Sequence, residues 1–263
     1  MTTIHDVAGS HPTTTGDHRA RAPIPFRRLL AVETRKLFDT RSGTAMTAIL
    51  VALTLAAIAG RGAVAGPRFD TLVRTAGIGF GTLLPVLGIL TVTSEWSHRT
   101  ALTTFTLEPR RWRVLAAKCL PPLMTAVAGS VFAMLVAVPV TAVAASVQDV
   151  PADWEVAPLA LLGWTAANVL VVAMGLAVGM LLLHAPTAIV ICLSATAVWS
   201  AVSRLGATGE VVAGWLDLNT TAAALAAGEM TAGDTARLAV STLCWIVVPM
   251  TAGVVRVLRK DVQ

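Results

Sequence analysis

Two short segments carry the residue patterns best suited to chemistry. The first is Val32-Glu33-x-x-Lys36-x-x-Asp39-Thr40-Arg41-Ser42. The second runs Glu95-Trp96-Ser97-His98-Arg99-Thr100, then Thr103-Thr104-Phe105, then Glu108-Pro109-Arg110-Arg111-Trp112-Arg113, and closes on Ala116-Ala117-Lys118. Carboxylates, cations and indoles this close together suit the docking of a charged partner surface. They also suit anchoring to lipid headgroups, with Trp96 and Trp112 in the interfacial belt. Neither segment has the form of a catalytic centre. No H-E-x-x-H is present to hold zinc, and no G-x-x-x-x-G-K-[ST] to cradle phosphates. Gly77, Gly79 and Gly81 lack the following Lys-Ser/Thr and lie within an apolar run. His5, His11 and His18 are irregularly spaced, so solvated histidines are favoured over a metal site. Cys119, Cys192 and Cys244 each stand alone in apolar surroundings, offering neither a disulfide framework nor a metal cluster.

The elements that position these segments are set by an apolar composition. Of 263 residues, 55% are hydrophobic and 13% charged, and the mean hydropathy is +0.73. A soluble domain carries roughly 25% charged residues, so a single compact soluble enzyme is excluded and an integral membrane protein is expected. The net charge of +5 then points to basic loops facing an anionic leaflet, not to nucleic acid.

Residues 1–25 are polar, rich in Thr, His and Pro, and read as a disordered cytosolic tail ahead of a membrane-embedded region, 26–263. Six continuous apolar runs follow, at about 44–60, 75–94, 119–147, 159–183, 187–203 and 236–255. Roughly 20 residues cross a bilayer as a helix, and the runs lack the alternation of barrel strands. The fold class is therefore all-α and polytopic, with six transmembrane helices. Fifteen of the twenty Lys and Arg residues fall before the first run, after the second, or in the tail. That bias puts both termini in the cytosol of a cell membrane. Arg61, Arg68 and Arg74 run against it.

Finer features follow from periodicity. Residues Phe26–Arg41 predict an amphipathic helix on the inner leaflet, with Phe26, Leu29, Leu30 and Leu37 on one face and Arg28, Arg35 and Asp39 opposite. Glu33 falls inside the apolar stripe, which membrane anchoring does not explain. It demands a cationic partner on another element, expected to be an Arg and to lie across a subunit boundary. His184-Ala185-Pro186 forces the fourth and fifth spans into an antiparallel hairpin. The 204–235 connection is mildly amphipathic, so short helices dipping into the outer interface compete with a solvated loop. Gly77-x-x-x-Gly81 and Gly175-x-x-x-Gly179 permit close helix approach, between subunits or within the chain. Asn168 can hydrogen-bond between helices. Pro85, Pro121, Pro122, Pro139 and Pro249 break hydrogen-bond ladders, as kinked helices of a transport path would. The spans hold almost no ionisable residues, which opposes a proton- or sodium-coupled secondary carrier.

With the first segment, Gly88-Ile89-Leu90-x-Val92-x-Ser94-Glu95, Arg99-Thr100, and Pro109-Arg110-Arg111 through Ala117-Lys118, the chain resembles a permease subunit of the type-2 ABC exporter (ABC-2) family from about residue 26 to the end. The resemblance implies an interface helix at 26–41, a cytosolic coupling helix around 95–113 docked on an ATPase subunit, and re-entrant outer helices before the last span. It implies a bacterial plasma-membrane exporter of two permease halves, identical or not, with two ATPase subunits that bind ATP and Mg. This chain is then a transport subunit, not an enzyme, and needs no cofactor of its own. Residues expected to carry the coupling or line the interface are Glu33, Lys36, Arg41, Glu95, Arg99, Thr100, Pro109, Arg110, Arg111 and Lys118. The cargo expected is hydrophobic or amphiphilic: a drug, an antibiotic or a lipid-like molecule. A six-span scaffold or assembly protein without transport is the alternative.

Overall fold

The computed structural model describes residues 25–97 and 110–259. In these the chain is an all-α polytopic membrane protein, with six helices long and apolar enough to span a bilayer and no strand among the described residues. Six crossings bring both ends of the described chain to one face, called here the terminal face.

Helix α1, Phe26–Asp39, is the expected amphipathic helix. Its Leu37 is buried while Arg28, Arg35 and Asp39 are exposed. Thr40 ends it in extended geometry, and its side chain accepts a hydrogen bond from the Gly43 amide, capping α2, Arg41–Val64. Across the bundle, α3, Phe69–Thr75, bends at Ala76 into α4, Gly77–Ser97. The 98–109 connection, and with it most of the expected coupling helix, lies outside the described residues.

Helix α5, Arg111–Gln148, is 38 residues long, about 57 Å at 1.5 Å per residue. A hydrocarbon core is only ~30 Å thick. The apolar run therefore marks just the crossing, and the helix begins eight residues earlier than position 119, carrying Arg113 and Lys118. Helix α6, Pro158–Leu182, opens with proline at its first turn, and left-handed Leu183 ends it. His184 caps α7, Ala185–Ser203, by accepting from the Thr187 amide, so the expected hairpin is only two residues long.

The 204–235 connection folds into helices. Helix α8, Ala207–Leu216, turns at Asp217 into α9, Leu218–Ala227. The Asp217 carboxylate accepts from the Asn219 amide and the Thr220 hydroxyl. The elbow reaches deep: the Trp245 indole donates to the Leu216 carbonyl at 2.8 Å, and the Asn219 side-chain Nδ2 donates to the Thr196 hydroxyl in the middle of α7. The last span starts at a capping box, Thr231 with Asp234, four residues before the expected 236. It comprises α10, Ala232–Thr242, a π-helical turn, Leu243–Val247, and α11, Val248–Arg259. The wider turn immediately precedes Pro249, which has no amide to donate and whose ring crowds the preceding turn.

The core centres on α4 and α6. Phe80, Leu84, Ile89, Val172, Leu176 and Met180 are fully buried. A Cβ added at Gly175 would lie 2.3 Å from the Pro85 carbonyl oxygen, and one at Gly163 would lie 1.8 Å from that of Leu225. Gly175 and Gly179 thus serve packing within the chain, which decides one of the two alternatives left open above. Asn168 donates to Ser130 of α5 at 3.0 Å, a buried bond between helices. Two of the three basic residues that opposed the charge bias, Arg68 and Arg74, have partners on the face away from the termini. Arg68 pairs with Asp153 at 3.1 Å. Arg74 grips Asp70 and donates to the Ala226 carbonyl.

Candidate functional site

On the terminal face, α1 lies along the first turns of α5 and against α2. The stripe that presses α1 onto α5 contains Glu33, and its carboxylate meets the Lys118 ammonium at 2.9 Å. Both are buried, the residues being 6% and 5% exposed. The second carboxylate oxygen accepts from Lys36 at 2.9 Å, one turn along α1, whose side chain remains 46% exposed.

The partner expected from another subunit is therefore a lysine of the same chain. Lys118 shares a helical face with Val114 and Ala117, both buried, so the turn that seats these apolar residues also carries the ammonium inward. Removing two charges from water costs several kcal/mol per ion, recovered only through good geometry and paired hydrogen bonds. A lone Glu33 or Lys118 at this seam would be strongly unfavourable. The pair consequently fixes which turn of α1 faces which turn of α5.

Of the ten sequence-derived candidates, Glu33, Lys36 and Lys118 come together. Arg41 opens α2 and is exposed. Arg110 stands at the N-terminal boundary of α5, exposed, and its carbonyl accepts from the Arg113 amide. Glu95 falls in the last turn of α4 and Arg111 is the first residue of α5. Arg99, Thr100 and Pro109 lie outside the described residues. The chain reaches the 98–109 connection from α4 and leaves it through α5, the helix that the ion pair fastens to α1.

Beside this seam lies an apolar cavity of about 360 Å³. Thr34 and Phe38 of α1 form one wall, Thr47 to Thr54 of α2 another, and Pro121 to Phe132 of α5 a third, with Phe80 of α4 behind. A second cavity, about 430 Å³, lies between α6, α7 and the π turn. Trp199 and Trp245 meet edge to face on its wall, their centroids 6.4 Å apart.

Sequence reasoning missed two features here. The Glu33–Lys118 pairing joins residues 85 positions apart, which no local pattern reveals. Asp217 was read as part of an outer connection, yet it is buried at the α8–α9 elbow. Its signal was partly legible: an aspartate shortly before the Ala-rich run 222–227 is an N-cap candidate.

No protein-family model matches the chain, and no curated protein is similar enough to count as a relative.

Proposed function

We propose that this chain is the permease subunit of an ATP-binding-cassette exporter in a bacterial plasma membrane, with both termini cytosolic. It moves a hydrophobic or amphiphilic molecule outward and works with a second permease half. A separate subunit binds ATP with Mg and hydrolyses it. The observation that carries this proposal is the buried Glu33–Lys118 pair. It joins α1 to the base of α5, the helix that follows the 98–109 connection. A partner docked at that connection pushes on α1 and α5 as one body, and α5 crosses the whole bilayer. Coupling between nucleotide state and permease conformation requires such a shared contact, because a ligand shifts an equilibrium only through unequal contacts with its two states. Helix-breaking Pro121, Pro122 and Pro139 within α5 supply points at which that displacement can be taken up.

The test is a search for a neighbouring reading frame with P-loop and signature motifs, then co-expression with its product, co-purification in mild detergent and measurement of substrate-stimulated hydrolysis. Glu95→Ala with Arg110→Ala should abolish association or stimulation. An unchanged complex removes the docking assignment. Transport by the purified chain without nucleotide removes the function itself.

A further inference from the structure

We propose that the cavity between α1, α2 and α5 is a binding site for a single hydrocarbon chain of a membrane amphiphile. Binding stands apart from the transport function; calling the occupant cargo rests on that function. The walls favour a chain over anything polar. Three of the chain's six phenylalanines, Phe38, Phe80 and Phe132, converge on the cavity from three different helices. Its threonines add little polarity. Thr34, Thr54 and Thr125 donate to the carbonyls of Leu30, Leu50 and Pro121 at 2.9, 2.7 and 2.9 Å, and the Thr47 oxygen is enclosed without a partner. A water needs two to four polar partners, so an apolar space of this kind stays dry and takes hydrocarbon instead.

Shape and place narrow the occupant further. Val51 and Met124 on the rim are 37% and 56% exposed, and Ala128 is exposed too, so the cavity opens sideways between α2 and α5. In a bilayer that side faces acyl chains. The wall on α5 runs from Pro121 to Phe132, about 16 Å along the helix axis, a long slot and not a round pocket. One end is α1, whose amphipathic character sets it at headgroup level. A chain entering from the leaflet of the terminal face thus keeps its polar end at the interface. It then lies against the seam that Glu33 and Lys118 hold together, Thr34 following the one and Pro121 standing one turn beyond the other.

The experiment uses the full chain in nanodiscs of phosphatidylethanolamine and phosphatidylglycerol. One arm contains a phosphatidylglycerol with a diazirine near the end of one acyl tail, the other a diazirine fatty acid. After illumination, adducts are mapped by mass spectrometry. Adducts should concentrate on Thr54, Gly129 and Phe132 and exceed those on Leu135 and Val138, outward residues of α5 that are 65% and 47% exposed. Ala128→Trp should lower cavity adducts about tenfold, since losing the burial of roughly two methylenes already costs that much affinity, while labelling of Leu135 persists. Labelling by either probe supports the site, and the arm that labels identifies the source of the chain. If Ala128→Trp does not fold, the wild-type ratio still decides. Adducts that follow exposure, heaviest on Leu135 and Val138, overturn the proposal. So does an Ala128→Cys chain that forms a disulfide with a second copy in place of labelling. Intact cavity labelling without any ATPase stimulation breaks the transport function alone.

Discussion

The two flanks of the bundle are held by different means. Half of the most apolar window of α3–α4 and of α6 is buried, against 22% for α2, 28% for α5 and 17% for α7 and for the last span. Between α4, α6, α9 and α11, backbones touch: Gly175 on Pro85, Gly163 on Leu225 and Gly253 on Met180 leave no room for a methyl group. Between α1, α2 and α5 such approaches lie near the two ends of α2, where Gly43 meets the Leu37 carbonyl and Gly62 meets Val140, and between them there are a void and a buried ion pair. In a bilayer, lipid tails satisfy an apolar side chain as well as another helix does, so association depends on close packing and on polar contacts. The first flank uses the former and reads as a fixed frame. The second relies more on the latter.

The largest effect that would break this contrast is at the ion pair. Lys118→Met leaves Glu33 buried with only the half-exposed Lys36 beside it and should cost up to roughly 3–5 kcal/mol in a denaturant titration from mixed micelles. Adding Glu33→Gln should restore most of the loss, and a double variant that loses the sum of the two single losses would show that the pair is not coupled. On the frame, Gly175→Val should cost about 1–3 kcal/mol or more through overpacking, while Ala128→Leu at the cavity should change stability by no more than about 0.5 kcal/mol. Thr47→Val should go the other way, gaining about 1 kcal/mol by removing an enclosed hydroxyl that has no partner. Ser241→Ala, which cuts the 2.6 Å contact with Thr221 between the elbow and the last span, should lose only about 0.6 kcal/mol. Smallest is Arg68→Ala: its exposed pair with Asp153 should contribute about a few tenths of a kcal/mol, fading as salt is added.

Much of the frame was legible because its signals are local. Apolar runs of near-membrane length identify the six spans, and the Thr40 break, the His184 cap and Pro158 mark where helices stop and start. The ends of α5 and of the last span were misjudged for a physical reason. Hydropathy reports where a helix meets lipid, not where its hydrogen bonds continue, so α5 runs on through Arg113 and Lys118. At the last span the capping box at Thr231 and Asp234 carried information that apolar content did not. The elbow at Asp217 was half legible, its cap a candidate in sequence but its depth visible only through Trp245 and Thr196.

Sequence alone determined that this chain enters a membrane, how often it crosses, and that Glu33 could not stand unpartnered in an apolar stripe. These follow from the transfer free energies of side chains, which depend on residue type and spacing. Tertiary structure alone decided that Lys118 answers Glu33, that Gly175 meets Pro85, and that a hydrocarbon-lined space remains beside them. Those depend on which distant surfaces come within a few ångströms, and contact energies at that range have no counterpart in local order along the chain.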